Sequence, residues 1–393
     1  MASSKKIGLA LAGGGPEGAV YEIGALRALE ESLQGLDFTD LHIYVGVSAG
    51  AFVGACLANG VTVRQLCRVV ASDGTDEGPF APENFFAPAV GEVARRATMV
   101  PGLLAGGLLD FVRKPSNFSP LEPLLRLSRA LPVGMFNSGR IGQYLESVFS
   151  REGRTDDFRQ LRRRLVIVAS DLDSGRAVRF GETGRDHIPI SKAVQASSAL
   201  PGFFAPVQIE GRHYVDGVLL KTVHASTALK AGADLLLAIN PIVPVDTAKA
   251  VEEGVMKRGK LVDRGLPAVL SQTLRTLIRS RLEAGLKKSE AQFADRDVLL
   301  FEPRRDDFRM FFTNIFSFSD RRAVCEHGYR STREHLRERQ DAISEVLAPY
   351  GIRFRPGVLE GERSLWDGVE AKADVAPRLN AALDRLDALL DAG

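Results

Sequence analysis

The sequence has few cysteines, almost no net charge and no long hydrophobic run. Only three of its 393 residues are cysteine, an odd number without metal-ligand spacing. That count argues against a disulfide framework and favours reduced thiols in a reducing compartment. The 51 basic residues are balanced by 49 acidic ones, so the net charge of +2 provides no overall attraction to nucleic acid. Any basic surface must therefore be local.

No stretch approaches the roughly 18 continuous apolar residues that a membrane-spanning helix needs. The uncharged residues 193–209 are interrupted by Pro201, Gly202 and Pro206. Near the basic start of the chain, the apolar run Ile7–Ala12 is too short for the core of a signal peptide. We therefore expect a cytoplasmic protein without signal or transmembrane segment, which is soluble or lies on a membrane surface.

Short β-rich runs alternate with helical patterns along most of the chain. This alternation predicts an α/β fold with a mostly parallel central sheet. A helix is expected over Ala19–Ser32, directly after the first run. The predicted strands are Ile7–Ala12, Leu41–Val47, Leu165–Ser170, His213–Asp216, Asp234–Asn240 and Asp297–Phe301.

Two regions depart from this alternation. Residues 75–139 are rich in Pro, Gly and Phe without a sustained period, which indicates a lid-like insertion. Beyond Val245 the pattern is mostly helical, and the last leucines share one helix face. We predict a catalytic domain over 5–245, with the lid at 75–139, and a helical C-terminal extension over 246–393 that packs on the core. The tail leucines are Leu379, Leu383, Leu386 and Leu390.

The stretch AGGGPEG, residues 12–18, is a glycine-rich turn between a strand and a helix. Gly13, Gly15 and Gly18 match the G-x-G-x-x-G spacing of a dinucleotide site, but such a turn also presents N–H groups to a developing oxyanion. A dinucleotide site needs an acidic residue at the far end of the second strand, and here the nearby aspartates precede that strand. The oxyanion interpretation is therefore favoured, with dinucleotide binding as a remote alternative.

The far end of the second strand reads GVSAG, Gly46 to Gly50, followed by a helix of small residues. In a G-x-S-x-G turn the two glycines permit a strained strand-to-helix connection that exposes the serine hydroxyl above the sheet. Ser48 would lie at a helix N-terminus, where the dipole favours negative charge. Neighbouring parallel strands would bring this turn and the glycine-rich turn to the same sheet edge.

A serine nucleophile needs a base, and none of the six histidines has a convincing catalytic setting. Asp216, in GRHYVDGV, follows a short β-rich run and precedes Gly217. The position places a carboxylate at the carboxyl end of a strand. Taken alone, an Asp-Gly pair is also typical of a simple turn.

In this order, the motifs AGGGPEG, GVSAG and VDG resemble those of the patatin-like phospholipase family. The segments VIVASDLDSGRAVRF and VQASSALPGFFAPVQIEGRHYVDG are similar as well, so the resemblance runs from about Ile7 to Pro241. It implies a three-layer α/β/α fold and a serine-aspartate dyad. By this resemblance Ser48 is the nucleophile, Asp216 the general base, and Gly13, Gly14 and Gly15 the oxyanion donors.

The same resemblance implies a lipid acyl hydrolase of the phospholipase A or lysophospholipase type. It would act through an acyl-enzyme, with no cofactor and no metal. The alternatives are a hydrolase of another acyl ester, such as a storage polyester or thioester, and a catalytically weak lipid-binding regulatory module.

Two positions depart from the family pattern. Glu17 stands where the glycine loop usually carries Arg or Lys, and Val218 stands where Gly or Ala usually follows Asp-Gly. A carboxylate in the first turn of a helix complements the dipole, so we expect Glu17 to point outward.

Residues 257–290 contain nine basic and three acidic residues, with apolar residues at every fourth position from Leu266 to Leu286. This pattern is typical of a helix that packs on the core by its leucine face or lies on an anionic membrane. The five phenylalanines in 308–318 indicate a gate to an acyl pocket, an interfacial patch or plain core.

Overall fold

The computed structural model describes residues 5–71, 88–113, 127–252, 261–304, 318–367 and 369. The strands are β1 (Ile7–Leu11), β2 (Leu33–Gln34), β3 (Ile43–Gly46), β4 (Gly134–Phe136), β5 (Arg164–Asp171), β6 (Ala177–Phe180), β7 (Gly202–Phe204), β8 (Val207–Ile209), β9 (Arg212–Asp216), β10 (Leu235–Ile239), β11 (Asp297–Phe301) and β12 (Arg353–Phe354).

The helices that precede β10 in the chain are α1 (Gly15–Ser32), α2 (Ala49–Ala58), α3 (Val63–Ala71), α4 (Val90–Ala97), α5 (Val100–Arg113), α6 (Gly139–Phe149), α7 (Ile190–Ser197) and α8 (Ala225–Lys230). The later helices are α9 (Thr247–Glu252), α10 (Leu266–Gln292), α11 (Phe318–Glu338) and α12 (Gln340–Leu347).

Most of these strands form one central sheet in the order β11-β10-β1-β3-β5-β9-β8, with β6 also paired to β5. The five strands from β11 to β5 are parallel neighbours, whereas β9, β8 and β6 join antiparallel. The predicted α/β fold with a mostly parallel sheet is confirmed. The antiparallel additions have short strands without a sustained hydrophobic run, so their pairing was not visible in the sequence.

The sheet is buried on both faces, which accounts for its almost continuously apolar strands. Successive residues of a strand point to opposite faces. In β1, Leu9 and Leu11 belong to the core beneath α1, α2 and α11, whereas Ala10 belongs to the core beneath α8 and α10. Helices thus cover both faces, and the expected three-layer α/β/α arrangement is present.

The predicted strand positions agree with the structure to within two residues, and the helix expected over Ala19–Ser32 begins earlier, at Gly15. Within the lid-like segment, the described residues include α4, α5 and β4, which the sequence did not predict. Pro101 lies in the first turn of α5, where its fixed φ is tolerated, but its neighbouring glycines obscure a helical pattern.

Residues beyond Val245 contribute directly to the main fold. Strand β11 pairs with β10 at the edge of the sheet, and α11 crosses α1 closely. A Cβ atom on Gly24 would lie 2.0 Å from the Cys325 carbonyl oxygen, and one on Gly328 would lie 2.3 Å from the Tyr21 carbonyl oxygen. Glycine is needed at both positions because the helix backbones touch. The domain boundaries given above stay a prediction.

Helix α10 turns part of its leucine face to the core. Ile278 and Leu282 are buried, whereas Leu266, Leu270 and Leu277 are exposed. Within the described ranges, no helix is both long enough and apolar enough to cross a bilayer. The tail leucines 379–390 and the phenylalanine-rich residues 308–317 lie outside the described residues.

Candidate active site

Ser48 lies in a strained turn between β3 and α2. Its φ is 53° and its ψ is −119°, an unusual conformation for a residue with a side chain, which costs roughly 1–3 kcal/mol and persists only where the surroundings impose it. Ser48 is 6% exposed and immediately precedes the first turn of α2. The strand-to-helix elbow predicted from GVSAG is therefore present.

The two glycines of this motif are required by close backbone packing. A Cβ atom on Gly46 would lie 2.5 Å from Cα of Ala51, and one on Gly50 would lie 2.4 Å from the carbonyl carbon of Leu11. The Gly50 N–H donates to the carbonyl of Ala12, at 2.9 Å, which ties the elbow to the end of β1. The serine turn and the glycine loop are thus held together by the backbone itself.

The glycine loop lies directly beside Ser48. A Cβ atom on Gly13 would lie 3.3 Å from Cβ of Ser48 and 3.0 Å from Cγ2 of Val218. Within the described residues, no acceptor takes the N–H groups of Gly13, Gly14 or Gly15. These amides are available to a ligand oxygen next to the serine.

Asp216 reaches the same level of the sheet by a route that the sequence did not indicate. Gly46 of β3 pairs with Ile167 of β5, and two residues further along β5, Ala169 pairs with Asp216 of β9. Ser48 also lies two residues beyond Gly46, so serine and aspartate are at matching heights. Because β9 runs antiparallel to β5, the chain enters β9 at the carboxyl edge of the parallel strands. The carboxyl end of β9, with Asp216, therefore points into the sheet and not out of this edge.

The Asp216 carboxylate is buried, with only 2% of the residue exposed. Its Oδ1 accepts a hydrogen bond from the Val218 N–H at 2.9 Å. Burial raises its pKa to about 7, and the hydrogen bonds from Val218 and from the Ser48 side chain act in the opposite direction. A carboxyl group in contact with a serine hydroxyl is thus poised to exchange a proton near neutral pH.

The end of α7 and the connection that follows it hold the backbone at both Ser48 and Asp216, and sequence reasoning did not assign them a role. The Ser197 hydroxyl accepts from the Ser48 N–H at 2.8 Å and donates to the Val168 carbonyl at 2.7 Å. The Ala199 carbonyl accepts from the Asp216 N–H at 3.0 Å. The signal was present in the segment VQASSALPGFF, but a buried serine in a small-residue run gives no indication of its partner.

The two departures from the family pattern also lie at the site. Val218 is buried and fills the space against Gly13. Glu17 is partly buried, which differs from the outward orientation expected from the helix dipole. Burial raises the pKa of Glu17 to about 7, and the positive charge of Arg275 from α10 lowers it. The basic partner comes from far along the chain, which a local pattern cannot reveal.

His224 is not placed as a base. His224 is 3% exposed, its partner is the backbone of Gly217, and burial lowers its pKa to about 3. Its imidazole is therefore neutral, and among the described residues it makes no hydrogen bond to the side chain of Ser48 or Asp216. Across the part of the chain that the structure describes, no group of three or more His, Cys, Asp or Glu residues could hold a metal ion.

Comparison with known proteins identifies relatives of the chain. A family model for patatin-like phospholipases matches residues 9–229. An uncharacterized protein of Acanthamoeba polyphaga mimivirus is 24% identical over 211 residues, covering 53% of this chain and 57% of that protein. An uncharacterized NTE family protein of Mycobacterium tuberculosis is 35% identical over 75 residues, 19% of either chain. The chain therefore spans about half of the first relative and a fifth of the second.

Solved structures with a partial likeness include VipD from Legionella pneumophila, with a TM-score of 0.35 and 15% identity over 85% of this chain and 67% of that one. ExoU of Pseudomonas aeruginosa, solved in complex with SpcU, has a TM-score of 0.26 and 16% identity over 72% of this chain and 52% of that one. The family assignment depends on the sequence match and not on these scores. Because the matched residues make up more than half of the chain and contain every candidate site residue, the protein belongs to the patatin-like phospholipase family.

Proposed function

We propose that the protein is a serine esterase that hydrolyses carboxylic esters of lipids. In this proposal Ser48 is the nucleophile, Asp216 is the general base, and the N–H groups of Gly13, Gly14 and Gly15 bind the oxyanion. The observation that carries the proposal is the contact of three distant segments at one point. A Cβ atom on Gly13 would lie 3.3 Å from Cβ of Ser48, and the Ser48 hydroxyl is close enough to the buried Asp216 carboxyl group to lower its pKa.

The first half of the proposed reaction forms an acyl-enzyme. Asp216 accepts the proton of the Ser48 hydroxyl while Oγ attacks the ester carbonyl carbon. The carbonyl oxygen becomes an oxyanion that accepts hydrogen bonds from the glycine loop. As the carbon–oxygen bond to the leaving group breaks, the protonated Asp216 returns its proton to that oxygen. An alcohol departs, and the acyl group remains on Ser48.

The second half uses the same groups with water as the nucleophile. Asp216 takes a proton from water, the hydroxide attacks the acyl carbonyl, and a second oxyanion forms at the glycine loop. Collapse of this intermediate breaks the bond to Oγ, and Asp216 returns the proton to Ser48. The products are a carboxylic acid and the regenerated enzyme, so atoms and charge balance without a cofactor.

The electrostatics of the site favour Asp216 as a general base and Ser48 as a nucleophile. A general base works best when its pKa lies near the working pH, and burial brings the Asp216 carboxyl group to about 7. Ser48 also stands at the N-terminus of α2, whose dipole stabilises negative charge in its first turn. A buried aspartate can therefore replace histidine here.

Family membership supports a lipid acyl ester as the substrate, of the phospholipase A or lysophospholipase type. We further propose that residues 257–290 approach a membrane surface, since Leu266, Leu270 and Leu277 of α10 are exposed among basic residues. The alternatives are another acyl ester, such as a storage polyester or thioester, and a catalytically weak lipid-binding module.

The test compares the wild type with Ser48→Ala, Asp216→Asn and the control Ser280→Ala, which removes an exposed hydroxyl from α10. Hydrolysis is measured on a phospholipid, a lysophospholipid, a polyester oligomer and an acyl thioester. We expect both site variants to lose at least about 10³-fold in kcat/KM while they remain folded, and the control to keep full activity. Turnover retained in either site variant would contradict the mechanism.

Labelling by a fluorophosphonate separates the alternatives. A competent site forms a stable adduct at Ser48, so the wild type and Ser280→Ala should be labelled and Ser48→Ala should not. Lipid binding by an unlabelled wild type would favour the regulatory module. Labelling together with a preference for the thioester or polyester would retain the dyad and change the substrate class.

A further inference from the structure

The backbone of the Ser48 turn is held by a buried hydroxyl that takes no part in the proposed reaction. The Ser48 N–H donates to Oγ of Ser197 at 2.8 Å, and this hydroxyl donates to the Val168 carbonyl at 2.7 Å. Ser197, the last residue of α7, is 0% exposed. A hydroxyl carries one proton, so with that proton directed to Val168 it can only accept from Ser48. Its orientation is therefore fixed, and it connects the Ser48 turn to β5.

The same stretch of β5 also positions the turn at Asp216. The residue after Val168 pairs with Asp216 in the sheet. A Cβ atom on Gly217 would lie 2.3 Å from the Val168 carbonyl oxygen, so the backbone after Asp216 lies directly against that oxygen. Asp216 thus contacts this part of β5 through its own backbone, whereas Ser48 reaches it through Ser197. Both members of the candidate dyad are therefore placed relative to the Val168 carbonyl.

The hydrogen bond to Ser197 acts on the residue that carries the backbone strain. The residue before Ser48 and the second residue after it donate backbone hydrogen bonds to the end of β1, at 3.2 and 2.9 Å. Ser48 itself has a φ of 53°, which persists only where its surroundings impose it. Without the Ser197 hydroxyl the buried Ser48 N–H would lose its acceptor, and rotation about φ toward another acceptor would redirect the side chain. The contact therefore decides where the Ser48 hydroxyl points.

We propose that Ser197 is a positioning residue: its hydroxyl fixes the Ser48 turn to the Val168 carbonyl and thereby sets the separation between the Ser48 hydroxyl and the Asp216 carboxyl group. This inference rests on the proposed function, since it requires that Ser48 attacks the substrate. A displaced nucleophile slows the reaction at every site, whereas partial unfolding lowers only the number of working sites. The rate per working site therefore separates a positioning role from a purely structural one.

The experiment uses the full chain, p-nitrophenyl octanoate as the substrate and a fluorophosphonate as the probe of Ser48. The endpoint of labelling counts the working sites, and the rate constant of labelling reports the reactivity of each site. Ser197→Ala is compared with Ser191→Ala, which removes another buried hydroxyl from α7. The Ser191 hydroxyl donates to the Asp156 carboxylate at 2.6 Å, so its loss is a matched control for a buried hydrogen bond.

We expect Ser197→Ala to lower both kcat/KM per labelled site and the rate constant of labelling by roughly 10–100-fold, the effect of displacing a reacting group by about 1 Å. Ser191→Ala should keep both rates per site within about twofold of the wild type. Wild-type rates per site in folded Ser197→Ala would overturn the inference. An equal fall in both variants would overturn it as well, because that result would indicate a general loosening of α7.

The pH profile shows on which member of the dyad Ser197 acts. In Ser197→Ala, Asp216 keeps its burial and its hydrogen bond from the Val218 N–H, so the acid limb of kcat/KM should keep its apparent pKa of about 7. A displacement of that limb by more than about one pH unit would mean that the base had been disturbed instead of the nucleophile. That outcome would contradict the proposed role of Ser197.

Ser197→Cys keeps the test decisive if Ser197→Ala does not fold. A thiol has nearly the same shape as the hydroxyl but is a weak donor and a weak acceptor. We expect the rates per labelled site in Ser197→Cys to fall at least about fivefold. Wild-type rates in folded Ser197→Cys would reject the inference.

Failure of the proposed function gives a different result. Turnover retained in Ser48→Ala would reject the serine mechanism whatever the Ser197 variants do. An inactive Ser48→Ala together with wild-type rates per site in Ser197→Ala would reject only the inference about Ser197.

Discussion

Replacing Asp216 by Asn should stabilise the fold above neutral pH while it abolishes ester hydrolysis. The wild-type carboxyl group has a pKa of about 7 in the folded protein, because burial disfavours its charged form, against about 3.9 in an unfolded chain. Between these values the folded protein binds more protons than the unfolded chain does. The free energy of unfolding therefore falls as the pH rises from about 4 to about 7.

The size of this effect follows from the shift. A difference of about 3 pKa units corresponds to about 4 kcal/mol at 1.36 kcal/mol per unit, and a residue that is 2% exposed has little solvent screening. Asparagine has the same shape, can still accept from the Val218 N–H and does not ionise. The advantage of Asp216→Asn should thus be near zero at about pH 4 and about 4 kcal/mol at about pH 8.

Urea unfolding of the wild type and Asp216→Asn at both pH values measures the effect. The exposed Asp173→Asn serves as the matched control, and it should not change the difference between the two pH values. Glu17, whose pKa is also about 7, titrates in the same window but is common to all three proteins and cancels. A stability difference between wild type and Asp216→Asn that is the same at both pH values would refute the account of the buried carboxylate.

Three further predictions follow from the site. The acid limb of kcat/KM should have an apparent pKa of about 7, since Asp216 must be ionised to accept the proton, and a limb near pH 4 would exclude it as the base. Gly13→Ala should lower kcat by about 10²-fold in an ester assay, because its Cβ would lie 3.0 Å from Val218 and 3.3 Å from Ser48, and wild-type activity would contradict this placement of the loop. Gly50→Ala should lower the free energy of unfolding by about 1–3 kcal/mol or more, because its Cβ would lie 2.4 Å from the Leu11 carbonyl carbon; an unchanged urea midpoint would show that the elbow is looser than described.

The sequence by itself was sufficient for the elements that depend on local pattern. Buried parallel strands are short apolar runs, so β1, β3, β5, β10 and β11 could be located before the structure was known. The elbow at Ser48 was equally visible, because a strained turn between a strand and a helix needs small residues at fixed spacing.

Only the tertiary structure decided which distant residues meet. The antiparallel pairing of β9 with β5 brings Asp216 to the height of Ser48, and no local pattern specifies that partner. The hydrogen bond from Ser48 to Ser197 and the effect of the Arg275 charge on Glu17 also join residues far apart in the sequence, and no local pattern specifies them. Hydrophobic periodicity and turn chemistry act over a few neighbouring residues and can be read from the sequence. Hydrogen bonds, burial and charge balance at the site depend on packing between segments up to 258 residues apart, which only the folded chain specifies.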